Sequence, residues 1–140
     1  MKEPRMVQLA ANLVNYSCKV QPGERVWIDG TGVPADFLAQ LVEATYAAGG
    51  VPYVQIHEPK VERALGMGYT EAQMDWLAAG DAQRMGECQA YIGVRAGDNS
   101  YETGDVPADR KAIYATRYAS RVHGAIRVPH TKWVVLRYPT

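Results

Sequence analysis

Apolar positions along the chain switch repeatedly between helical spacing and short unbroken runs. Between Pro4 and Cys18, the positions Met6, Leu9, Ala10, Leu13, Val14 and Ser17 follow i, i+3, i+4, i+7, which predicts an amphipathic helix. Gln21-Pro22-Gly23-Glu24 supplies a turn, and Arg25–Asp29 is a short apolar run between turn residues, the pattern of a buried strand. Gly30-Thr31-Gly32 closes it. Pro34 suits the first turn of a helix, where a missing N–H removes no bond. Phe37, Leu38, Leu41, Val42 and Thr45 then form one stripe that stops at Gly49-Gly50. Val51–His57 is rich in β-formers and predicts a second strand. Strand, helix and strand in succession make a βαβ unit with parallel strands and a right-handed crossover.

The second half repeats the alternation. Val61–Leu65 suits a short helix. Thr70-Glu71-Ala72-Gln73 has the form of a capping box, with Tyr69 and Met74 placed for a hydrophobic staple, so a helix to about Ala79 is expected. Ala90–Val94 reads as a third strand and the polar stretch Arg95–Asp105 as a loop. A helix from Pro107 to about Val122 carries Ile113, Tyr114, Ala115 and Tyr118, and Trp133–Leu136 is a fourth strand. The expected fold is α/β: a mostly parallel, Rossmann-like open sheet of four or more strands with helices on both faces. A parallel strand so near Thr140 suggests a domain boundary, with residues 1–140 as the N-terminal domain of a longer two-domain protein.

Composition narrows the function classes. At 140 residues, 47% of them hydrophobic, the chain fits one domain with a core of its own. Fifteen Lys and Arg balance fifteen Asp and Glu, so no charge excess argues for a nucleic-acid or anionic-membrane partner. No apolar run approaches the ~18 residues of a membrane helix, and the N-terminus lacks the apolar core of a signal peptide. Cys18 and Cys88 stand 70 positions apart without Cys-x-x-Cys spacing, as expected of buried, reduced thiols in a cytoplasmic protein.

Candidate chemistry is sparse. Gly30-Thr31-Gly32-Val33-Pro34-Ala35 fits the loose G-x-G-x-x-G/A dinucleotide pattern between a strand and a helix. Pro34 removes a backbone N–H from that turn, and the nearest acidic candidate for a ribose, Glu58, comes 23 positions past Ala35 and after the strand end. A plain βα turn needing glycine dihedrals explains the motif as well. His57-Glu58 opens like a zincin motif, but Val61 stands where the second ligand would be. His123 and His130 are read as solvated loop histidines. None of Ser17, Ser100, Ser120, Cys18 and Cys88 sits in a nucleophile elbow. Asp98-Asn99-Ser100-Tyr101-Glu102 is the densest polar cluster, placed to project from the carboxyl edge of the sheet. Tyr114 and Tyr118, an i, i+4 pair, are expected in the core.

Leu13-Val14-Asn15-Tyr16-Ser17 followed by Val20-Gln21-Pro22-Gly23-Glu24-Arg25-Val26 resembles the opening of the thermophilic metalloaminopeptidases, the aminopeptidase T and aminopeptidase S group. Later segments agree in order: Glu43 to Gly50, Arg95-Ala96-Gly97-Asp98-Asn99, and Lys132-Trp133 through Arg137-Tyr138-Pro139-Thr140. Gly30-Thr31-Gly32 and Val106-Pro107-Ala108-Asp109 have no counterpart in that pattern. The resemblance implies the N-terminal domain of a metal-dependent aminopeptidase acting on peptides, with paired divalent ions, zinc or cobalt in type, held by a C-terminal catalytic domain. It also implies a homodimer, and it assigns no catalytic, cofactor-binding or metal-binding residue within 1–140. The competing expectation is a small Rossmann-like domain binding a nucleotide or other anion at Gly30–Ala35.

Overall fold

The computed structural model describes residues 3–96 and 104–138. Four strands form one parallel sheet in the order β2-β1-β3-β4: β1 Arg25–Thr31, β2 Val51–His57, β3 Ala90–Ala96 and β4 Lys132–Tyr138. All four expected strands are present. Three run beyond their expected ends, because ladder pairing continues past the apolar residues: Thr31 pairs with both His57 and Arg95. Gly30 and Thr31 therefore belong to β1 rather than to the turn.

The helices are α1 Pro4–Asn12, α2 Ala35–Ala47, α3 Pro59–Met67, α4 Glu71–Gly86 and α5 Ala108–Tyr114. Glu3 caps α1 and Glu58 caps α3, each accepting two backbone N–H bonds ahead of a proline at the first helical position. The Thr70–Gln73 capping box forms as expected, but α4 runs seven residues past Ala79, since the buried Met85 prolongs its inward face. Two helices widen into π-form: α1 continues as Leu13–Ser17, and α5 continues as a thirteen-residue π-helix, Ala115–Arg127, before a last turn at Val128–His130.

Strand alternation divides the sheet into two faces. Val26, Ile28, Ala90 and Ile92 pack with Ala10, Leu13, Val14, Phe37, Leu38 and Leu41 from α1, its π-extension and α2. On the opposite face Trp27 and Tyr91 pack with Ala78, Met85, Cys88 and Val122 from α4, its end and the long π-helix. The chain steps outward from β1 to β2 through α2 on the first face. It then returns across β1 to β3 through α3 and α4 on the second, as a constant crossover hand requires. The sheet is thus covered on both sides, with a reversal of strand order between β1 and β3.

Candidate functional site

Register places three tiers of side chains on the second face of the sheet. The lowest is aromatic: Tyr53, Trp27, Tyr91 and Trp133 across β2, β1, β3 and β4. Above it come Gln55, Asp29, Gly93 and Val135, and at the carboxyl edge His57, Thr31, Arg95 and Arg137. The helices of this face close tightly only over Trp27 and Tyr91 of the aromatic tier, Trp133 at the sheet edge being exposed. Over the upper tiers they leave a cavity of about 410 Å³. It opens where the strand order reverses, the position at which ligands of open α/β sheets bind.

The cavity floor is built around Asp29. His57 Nε2 stands 2.8 Å from Asp29 Oδ1, and His57 Nδ1 stands 2.7 Å from Glu62 Oε1. The first contact holds the buried Asp29 Oδ1 against the imidazole edge. On its other oxygen Asp29 accepts a 3.0 Å hydrogen bond from the Tyr91 hydroxyl. Gly93 makes this reach possible. A Cβ there would lie 2.9 Å from Tyr91 Cε1 and 3.2 Å from Tyr91 Oη, so the phenol ring crosses the strand over a missing side chain. The contacts with Asp29 first, and Glu62 second, raise the His57 pKa from 6.5 to about 10 against the opposing cost of burial. At neutral pH the group is an imidazolium between two carboxylates.

The roof comes from the helices. α3 supplies Glu62 and Leu65, and α4 supplies Gln73, Leu77 and Asp81. Tyr69, Tyr114 and Tyr118 form an aromatic stack with ring centroids 5.7 and 5.3 Å apart. Tyr118 donates a 2.5 Å hydrogen bond to Asp81 Oδ2, and burial raises the pKa of this phenol, as it does for Tyr91 and Tyr114. Arg110 Nη1 binds the Tyr69 carbonyl at 2.6 Å, and Arg63 pairs with Asp105, fixing α3 and its exit to the start of α5.

Helix form decides which side chains arrive. Tyr114, Tyr118, His123 and Arg127 are spaced four, five and four apart. On an α-helix the five-residue step would turn His123 about 140° away from Tyr118. The wider i→i+5 winding keeps both on one face, and both line the cavity. Arg127 Nε donates to His123 Nδ1 at 2.8 Å, which leaves the ring proton on Nε2. Burial, with the Arg127 charge beside it, lowers the His123 pKa.

These positions correct several expectations. His123 lies half-buried on a helix, so it is not a solvated loop histidine, while His57 ends its expected strand inside an ion-paired cluster. Tyr114 and Tyr118 form a cavity wall, and Tyr118 also packs against the core of the second face. Gly30 faces α2, where an added Cβ would lie 2.7 Å from Leu38 Cδ2, so close helix–strand packing accounts for that glycine. Cys18 and Cys88 are free and buried, as expected. The cluster Asp98–Glu102 lies outside the described residues. Asp29, Glu62, Asp81 and Tyr91 were not legible as site residues. The available signal was the titratable residue at or near each strand's carboxyl end: Asp29, His57 and Arg95.

The arrangement is suited to binding. Asp29 and Glu62 contact opposite nitrogens of His57, so the three groups diverge rather than surround one point. Among the described residues no group of three or more His, Cys, Asp or Glu is set to hold a metal ion, so the metal implied by the resemblance does not fit here. Nor does this protonated imidazole have a lone pair with which to act as a base at neutral pH.

No family description and no curated protein sequence matches the chain. Among solved structures, wild-type AmpT from Thermus thermophilus is similar in fold, with a TM-score of 0.73 at 19% identity over 98% of this chain and 36% of that one. The chain therefore spans about a third of AmpT's length. No helix among the described residues is long and apolar enough to cross a membrane.

Proposed function

We propose that residues 1–140 are the N-terminal domain of a metal-dependent aminopeptidase, an enzyme that removes N-terminal amino acids from peptides. The observation that carries the reading is the likeness of fold to AmpT, an aminopeptidase, over 98% of this chain. The ordered segments from Leu13 to Val26, Glu43 to Gly50 and Lys132 to Thr140 support it from the sequence side. On this reading the divalent ions, zinc or cobalt in type, belong to a C-terminal domain, and the parent enzyme is a cytoplasmic homodimer. Water activation needs a metal with an open position and about three protein ligands. The divergent Asp29–His57–Glu62 cluster offers no such set. The role of this domain is then to cover and orient the catalytic half.

The test is hydrolysis of leucine p-nitroanilide with added zinc or cobalt, by residues 1–140 and by the product of the complete reading frame. Turnover is expected from the complete product and none from residues 1–140. An inactive complete product overturns the aminopeptidase reading, and turnover by residues 1–140 overturns the assignment of the chemistry to another domain.

A further inference from the structure

We infer that the cavity between the β1/β3 carboxyl edge and the Tyr69–Tyr114–Tyr118 stack is a binding site for an ammonium group carried on an apolar body, the amino end of a peptide being such a ligand. Recognition of the ammonium stands on the cavity alone. The choice of a peptide as its source rests on the preceding reading.

Charge is the first argument. The walls carry three carboxylates, Asp29, Glu62 and Asp81, against one imidazolium, His57, and one guanidinium, Arg95. Among the described residues no Lys, Arg or His pairs with Asp81, whose partner is the neutral Tyr118 hydroxyl. Asp29 Oδ1 has the His57 imidazolium at 2.8 Å, but Glu62 holds the other nitrogen of that ring, so one cation serves two carboxylates. An ammonium brings three donors and the compensating charge.

The aromatic wall is the second argument. Three tyrosine rings, stacked on one another, stand in sequence along one side of the cavity and offer apolar surface to the body that carries the ammonium. Leu65, Leu77 and Val135 supply apolar surface beside them. The volume of about 410 Å³ lies at the small-ligand end of the range for binding sites. An anion would meet the carboxylates instead, and of the two cations in the lining His57 is already flanked by two of them.

The experiment is isothermal titration of the 140-residue chain at pH 6.5 with L-leucinamide, N-acetyl-L-leucinamide, trileucine amide and inorganic phosphate. L-leucinamide is expected to bind about tenfold or more tighter than its acetylated counterpart, which has the same apolar body without the charge. Asp81→Asn, which retains an acceptor for Tyr118, is expected to lose a similar factor with its circular dichroism unchanged. Should that variant not fold, the comparison of the two leucinamides on the unaltered chain decides by itself. Equal binding of the two, binding of neither, or preference for phosphate overturns the site. Trileucine amide binding at least as well as leucinamide supports a peptide as the source. Its exclusion overturns that choice in favour of a free amine. None of these results depends on hydrolysis, so a failed aminopeptidase assay and a failed binding site remain separate outcomes.

Discussion

His57 shows how far two neighbours can move one side chain. In the unfolded chain its imidazole loses its proton near pH 6.5, whereas in the folded chain Asp29 and Glu62 hold that proton to about pH 10. A raised folded-state pKa stabilises the fold fully below the unfolded value and progressively less as pH rises toward the folded one. The difference in urea midpoint between the unaltered chain and His57→Gln is therefore expected to be largest below pH 6.5, to shrink from there and to vanish near pH 10. Imidazole resonances followed by NMR give the direct check, and titration of His57 near 6.5 would sink the ion-paired arrangement. His123 moves the opposite way, because it is buried beside Arg127 instead of beside carboxylates. In the sequence the two histidines look alike. Their partners come from β1 and α3 in one case and from one helical turn further along in the other, so only the fold separates them.

At the scale of elements, local signals were most reliable where backbone bonding is satisfied locally. α2 ends in a Schellman motif: Gly50 N–H bonds to the Thr45 carbonyl and Gly49 N–H to the Tyr46 carbonyl, both at 2.9 Å. Gly49 takes φ +84°, and a Cβ there would lie 3.0 Å from the Cα of Pro22. Its carbonyl also accepts from Gly23 N–H at 2.8 Å, tying the helix end to the turn before β1. Gly49→Ala is expected to cost about 1–3 kcal/mol, from the left-handed backbone and the close approach together. The urea midpoint measures it, and a change of under ~0.3 kcal/mol would contradict the packing described. Helix winding, by contrast, was illegible. Nothing in residues 115–127 distinguishes π from α form by composition. The wide turn follows from the need to place Tyr118, Val122 and His123 against the sheet and α4 at once.

The sheet has one face packed at its centre and one divided face. α1 and α2 cover the first over β1 and β3, while the helices on the second pack against Trp27 and Tyr91 and stand away from the polar tiers. Each face buries one cysteine, Cys18 at 0% exposure and Cys88 at 5%. Burial raises both thiol pKa values, that of Cys18 to about 11. Reaction with a disulfide reagent is therefore expected to be negligible in the folded chain, where little thiolate is both present and accessible. It should appear for both thiols together across the urea transition. Modification of either cysteine well below that transition would show that its face opens independently.

Hydrophobic period, turn residues and caps were enough to determine the elements, their order and the parallel sheet, because each depends on interactions within a few residues or on the general rule of crossover hand. The cavity depends instead on register. Asp29 meets His57 and Tyr91 only because β1 lies between β2 and β3 with its tiers aligned, and because Gly93 lets a phenol ring cross between strands. A one-residue slip would send each of these side chains to the other face of the sheet. Contacts spanning 62 positions, as between Tyr91 and Asp29, leave no local periodicity to read, so tertiary structure alone decided where the charged groups converge.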